Sequence, residues 1–134
     1  MEDYILREIN RIGELIAALL NKVGLLKRSG SPEQIGTATK TELAQTLDID
    51  IDTLLGGKDF IGRLTQEYGF SDDNLDKFAE LLADLAAASD DRSERIRLAA
   101  AVGAIYGHLD ARKVPVSLNR YYILKDLEKY IKEP

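Results

Sequence analysis

The chain has 134 residues, of which 45% are hydrophobic and 31% charged, a composition typical of one globular domain and unlike collagen-like or disordered proteins. It has no cysteine and a single histidine, which excludes disulfide frameworks, thiolate nucleophiles and cysteine-ligated metal centres. With 18 basic and 23 acidic residues the net charge is −5, which argues against broad binding to nucleic acid or to anionic membranes.

We expect no targeting signal in the amino-terminal segment, because residues 1–4 are acidic where a secretory or mitochondrial leader would be basic. The longest apolar stretches, residues 15–20 and 98–106, are too short to span a bilayer. We therefore expect a cytoplasmic protein without a membrane partner.

Residues 3–27 are predicted to form one long helix, because apolar residues recur at alternating spacings of four and three. Leu6, Leu15 and Leu20 widen this stripe, so the helix can pack within its own chain, on a second copy, or both. We predict that residues 1–28 mediate self-association into a dimer, or docking on another helical protein. The interaction stripe consists of Ile5, Ile9, Ile12, Ile16, Leu19, Val23 and Leu26.

A break follows at residues 28–32, where small polar residues precede a proline. Residues 29–40 are predicted to be a linker or a short turn, and residues 41–134 a helical bundle domain. In that domain, capping residues and apolar spacing predict helices over about residues 40–48, 60–68, 72–88, 92–112 and 118–134. The alternating stretch 48–52 is too isolated to build a sheet. The predicted class is all-α, with a long first helix, short helices and a C-terminal three-helix bundle.

Residues 41–56 resemble the first helix and the turn of a helix-turn-helix motif, which makes a DNA-binding regulator one alternative function. A recognition helix presents basic or amide side chains to DNA, whereas here Asp50 and Asp52 follow the turn. Together with Asp48 they also have the spacing of a calcium loop, but Thr53 occupies the position that needs glycine. We expect neither DNA nor calcium to bind here.

An enzyme centred on His108 is the second alternative. This histidine lies near Arg120, Tyr121 and Tyr122 along the predicted helices, and the four residues form a candidate surface site. No nucleophile motif surrounds it, and a lone histidine late in a helix more often stabilises the end of that helix. We therefore predict a protein that is not an enzyme, with no catalytic residues, no cofactor and no metal.

Charge is distributed unevenly along the chain. Residues 31–90 contain 13 acidic and four basic side chains, whereas residues 91–134 contain nine basic and six acidic ones. An acidic middle segment is therefore predicted to dock on a basic end, within one chain or between two.

Four segments resemble a family of small uncharacterised bacterial all-helical proteins. They are YILREI at residues 4–9, FAELL at 78–82, AIYGHLD at 104–110 and SLNRYYI at 117–123. The last part of the chain is also similar to tetratricopeptide-type helix pairs, although no second copy of that repeat is visible. The resemblance implies a stacked helical hairpin surface, so the predicted function is a non-enzymatic protein–protein interaction or self-association module.

Overall fold

The computed structural model describes residues 2–30 and 33–132, apart from the side chains of residues 2–6, 8, 9 and 130–132. Over these residues the chain is all-α, and the predicted order of a long first helix followed by shorter helices is confirmed. The helices are α1 Glu2–Arg28, α2 Glu33–Leu47, α3 Ile51–Gly56, α4 Phe60–Gln66, α5 Asp72–Ala88, α6 Arg92–Ala111 and α7 Leu118–Lys132.

Helices α5 and α6 form the centre of the bundle. The side chain of Ser71 accepts a hydrogen bond from the backbone of Asn74 and so caps the start of α5. Asp91 caps α6 in the same way through the backbone N–H of Ser93. The core between the two helices includes side chains with no exposed surface, namely Leu75, Phe78, Leu81, Leu82, Val102, Ile105 and Leu109.

Helix α1 packs against α5 and α2, and its apolar stripe belongs to the core of its own chain. The stripe residues in this core are Ile12, Ile16, Leu19 and Val23, all buried, and Leu26, which is partly buried. The side chains of Ile5 and Ile9 lie outside the described residues. Buried side chains cannot contact a second copy without opening the core, so the middle of the predicted interaction stripe is occupied within one chain.

Residues 33–40, predicted as part of a linker or short turn, are instead the first half of α2. The physical reason is a stripe at a spacing of four, in which Ile35, Thr39, Leu43 and Leu47 are all buried. Thr39 hides this pattern in the sequence, because a hydroxyl residue interrupts the apolar series. The connection after α1 is therefore short, and Gly30 turns the chain there with a φ of +77°.

Two glycines of α1 differ in their surroundings, and this difference predicts different responses to alanine. A Cβ at Gly13 would lie 3.0 Å from Oδ1 of Asn74 on α5, whereas a Cβ at Gly24 would meet nothing within 4 Å. We expect Gly24→Ala to raise the free energy of unfolding by about 0.5–1 kcal/mol through helix propensity. Gly13→Ala should not show that gain, because its Cβ would crowd the side chain of Asn74. Urea unfolding of both variants checks this, and an equal gain at the two sites would contradict the close approach of α1 and α5.

The short helices α3 and α4 contribute buried side chains to the same core. Asp50 and Asp59 cap them, and Ile51 and Leu54 of α3 are buried. The hydroxyl of Tyr68 donates a hydrogen bond of 3.2 Å to the carbonyl of Asp48 and so ties the end of α4 to the turn before α3.

Candidate functional site

The last helix, α7, crosses α5 and α6 and is attached to them through a charged residue. Ser117 begins α7, since its hydroxyl accepts a hydrogen bond of 3.1 Å from the backbone of Arg120. Among the described side chains of α7, only Arg120 and Leu127 are buried, and they lie two turns apart on the same side of the helix. This side is the inner face of α7.

The guanidinium of Arg120 is 1% exposed and reaches three elements. Its Nη1 donates to Oδ1 of Asp110 on α6 at 2.8 Å, and its Nη2 lies 3.5 Å from the carbonyl oxygen of Pro115. Its Nε lies 3.9 Å from Oδ1 of Asp76 on α5, and the group lies over the ring of Tyr106 at 5.1 Å. We call these side chains, Arg120, Asp110, Asp76 and Tyr106, the Arg120 cluster.

Carboxylates spaced four residues apart form an acidic row along α5, and each contacts a polar or basic side chain from another helix or helix end. Asp72 accepts from Arg112 at 2.8 Å, and Glu80 accepts from Asn119 at 3.1 Å. The other two contacts join Asp76 to Arg120 and Asp84 to Lys27. The acidic middle of the sequence thus meets its basic end within one chain. The spacing of four was visible in the sequence, but the helices that approach this row were not.

Burial changes the titration of two carboxyls of this row, Asp76 and Glu80. Burial raises the pKa of Asp76 above its usual value of 3.8, and the attraction of Arg120 offsets only part of that effect. The pKa of Glu80 is also raised by burial, although the hydrogen bond from Asn119 lowers it. Burial raises the pKa of Tyr106 as well. The ionised carboxylates under α7 therefore cost free energy relative to exposed ones.

The residues of the predicted surface site do not form one site. Arg120 is buried, because its guanidinium is drawn between the carboxylates of α5 and α6, so it is not a surface residue. His108 is half-buried in the last turn of α6, and no described contact joins its ring to the other three residues. Tyr121 and Tyr122 are exposed and meet edge to face, with ring centroids 5.5 Å apart.

The outer side of α7 is apolar and aromatic. Leu118, Tyr121 and Tyr122 are 69%, 55% and 56% exposed, and the ammonium of Lys125 lies 5.8 Å from the ring centre of Tyr121. We call Leu118, Tyr121, Tyr122 and Lys125 the α7 face. It lies opposite Arg120 and Leu127, because side chains three or four residues apart share one side of a helix.

A groove of about 250 Å³ runs along one edge of the α7 face, between α1, α5 and α7. Tyr122 borders this groove, and the carboxylates of Glu80, Asp84 and Asp126 line it. The α7 face is therefore aromatic with a lysine at its centre and acidic along one edge.

The helix-turn-helix resemblance corresponds to α2, the following turn and α3. Helix α3 has six residues and buries Ile51 and Leu54, while Asp52 is exposed and pairs with Lys40 and Arg97 at 3.5 and 3.3 Å. The six residues of α3 include no basic or amide side chain of the kind that reads DNA bases, so this helix provides no support for the DNA-binding hypothesis.

Neither a metal centre nor a membrane span is found in the described part of the chain. Residues 2–30 and 33–132 contain no group of three or more His, Asp or Glu side chains arranged to hold a metal ion. None of the helices over these residues combines the length and hydropathy that crossing a membrane requires. Comparison with protein-family models, curated proteins and solved structures gives no match for this chain, so the resemblance to bacterial helical proteins stays a prediction.

Proposed function

We propose that this protein is a non-enzymatic, cytoplasmic helical module that self-associates through the α7 face. The supporting observation is the exposure of Leu118, Tyr121 and Tyr122 side by side on one helix. Two half-exposed tyrosines leave on the order of 200 Å² of aromatic surface in contact with water. Val116 and Leu118, which are 61% and 69% exposed, add apolar surface close to these rings in the sequence. Large exposed apolar patches mark interaction sites.

The charges around the α7 face favour a second copy as the partner. In an antiparallel pair of α7 helices, Lys125 and Lys129 of each copy approach Tyr121 and Tyr122 of the other. Ammonium groups over tyrosine rings are attractive, and the acidic groove beside Tyr122 adds a second favourable contact for the same lysines. A two-fold arrangement needs this kind of self-complementary surface.

The size of the α7 face sets the expected affinity. Two such faces bury on the order of 1,000 Å² in total, which lies at the small end of specific interfaces. We therefore expect a weak dimer that dissociates on dilution.

Sedimentation equilibrium from micromolar to millimolar protein tests this proposal. The average mass of the wild-type chain should rise above 14.9 kDa with concentration, whereas Tyr121→Ser/Tyr122→Ser should remain a monomer. Leu25→Ser/Ile96→Ser is the matched control, because it removes two exposed apolar side chains outside the α7 face and should associate like the wild type. A wild-type chain that stays monomeric throughout, or two double variants that behave alike, would overturn the proposal.

A further inference from the structure

Helix α7 is held by fewer buried side chains than its neighbour. It buries Arg120 and Leu127 among its described residues, and Ile123 packs partly against the core. Helix α6 buries seven, namely Leu98, Ala99, Ala101, Val102, Ile105, Tyr106 and Leu109. Elements with few buried apolar contacts open locally at a lower free energy than the central elements of a fold.

The polar contacts beneath α7 are incompletely satisfied. Nε of Arg120, Oδ1 of Asp76 and the hydroxyl of Tyr106 are buried and have no hydrogen-bond partner among the described residues. Buried polar groups without partners cost free energy, and lifting α7 returns them to water. Opening of α7 therefore recovers part of the free energy that the burial of these polar groups costs.

The connection between α6 and α7 suits such a movement. Residues 115–117 are exposed, and Pro115 lacks a backbone N–H that could tie this segment to the bundle. Lys113 adopts a φ of +61° just after α6, where the chain turns. Rotation in this connection moves α7 without changing α5 or α6.

We propose that α7 is a proton-linked clasp, which opens as one unit ahead of the rest of the bundle and closes more tightly when the carboxyls beneath it bind protons. The inference goes beyond self-association and stands or falls independently of it. The groups that carry the linkage are Asp76 and Glu80 on α5, which Arg120 and Asn119 of α7 contact directly.

The charged and titratable groups around these two carboxyls come from three helices. They are Asp73, Lys77 and Asp84 on α5, Tyr106 and Asp110 on α6, and Arg120 and Asp126 on α7. Arg120 favours the ionised form of Asp76 and so opposes the linkage, but burial is the larger effect on Asp76 and on Glu80 alike.

The direction of the pH dependence follows from linkage. When α7 lifts, Asp76 and Glu80 return toward their usual pKa values of 3.8 and 4.5, whereas both values are raised in the closed state. The closed state then binds more protons than the open state as long as the pH lies above those usual values. Proton binding therefore stabilises the closed state fully when the pH lies below the usual pKa values of the two carboxyls. This stabilisation is lost as the pH rises through their raised pKa values.

Hydrogen exchange of backbone amides, measured at concentrations where the chain is monomeric and corrected for intrinsic rates, tests the clasp. Amides of α7 should exchange at a lower opening free energy than those of α5 and α6. Their protection should rise several-fold between about pH 8 and about pH 5. Asp76→Asn/Glu80→Gln should lose that rise, whereas Glu67→Gln/Asp90→Asn, a control matched in charge at exposed positions outside α5 and α7, should keep it.

Two results would overturn the inference. One is exchange of α7 at the same opening free energy as α5 and α6, which would mean that α7 opens only with the whole bundle. The other is a pH dependence that survives in Asp76→Asn/Glu80→Gln, which would mean that groups other than Asp76 and Glu80 bind the protons that stabilise the closed state. If the chain were monomeric at all concentrations, the self-association proposal would be wrong, but both of these hydrogen-exchange tests would remain valid.

Discussion

Replacing Ile16 by aspartate is expected to unfold the chain rather than to separate two copies of it. Ile16 has no exposed surface in α1, and the core of the chain encloses it. Truncating a buried isoleucine costs about 2–5 kcal/mol, and an unpaired carboxylate in its place adds several kcal/mol. This sum is comparable to the whole stability of a typical domain, about 5–15 kcal/mol. Circular dichroism during a urea titration measures the loss.

The control for this substitution is Leu25→Asp on the same helix. Leu25 is 60% exposed, so the same chemical change there should alter the free energy of unfolding by no more than about 0.5 kcal/mol. An Ile16→Asp variant that unfolds at the wild-type urea concentration would show that α1 is not packed as described. Association measurements on such stripe variants cannot test self-association, because the loss of folding precedes any loss of contact between copies.

The contrast between Ile16 and Leu25 shows what periodicity establishes. A stripe at spacings of three and four fixes which side of α1 is apolar, and it predicted the helix and its buried side. It carries no information on which surface covers that side, since a helix of the same chain and a helix of a second copy offer the same kind of side chain. The covering helices, α5 and α2, are known only from the fold.

Thr39 and Arg120 show a second limit of sequence reasoning. Both are buried, whereas Thr39 was predicted to lie in a linker or short turn and Arg120 in a surface site. Polar side chains of these types are mostly exposed in proteins. Thr39 continues the buried stripe of α2, while Arg120 is buried because Asp110 and Asp76 approach it from two other helices. Such partners are brought together by the fold, so a pattern within one helix does not reveal them.

The acidic row of α5 is an intermediate case. Its spacing predicts that Asp72, Asp76, Glu80 and Asp84 share one side of a helix, and the uneven charge of the sequence predicts a basic partner. The sequence does not indicate that the partner surface comprises the end of α6, the inner face of α7 and the end of α1.

Replacing Arg120 by alanine is expected to weaken the attachment of α7 and to lower the free energy of unfolding by about 2–3 kcal/mol at neutral pH. Removing one member of a fully buried ion pair costs about 3–5 kcal/mol. The expected loss is smaller here, because the side chain of Asp110 is 59% exposed and water compensates it after the change. Lysine does not substitute for this arginine, since one ammonium cannot reproduce the planar fork that reaches Asp110 and Pro115 together.

Urea unfolding of Arg120→Ala measures this loss, and Lys125→Ala on the outer side of α7 provides the control, with an expected change within about 0.5 kcal/mol. Equal effects of the two substitutions would contradict the role of Arg120 as the anchor of α7.

The pH dependence of the loss makes the test more specific. In the folded variant, in which α7 still covers Asp76, the pKa of Asp76 rises further, because the attraction of Arg120 is gone and only that of Lys77 offsets burial. The destabilisation by Arg120→Ala should therefore be larger near neutral pH, where Asp76 is ionised, than in mild acid, where a proton replaces the guanidinium. A loss that is independent of pH would instead assign the effect of Arg120 to its contacts with Asp110, Tyr106 and Pro115 rather than to Asp76.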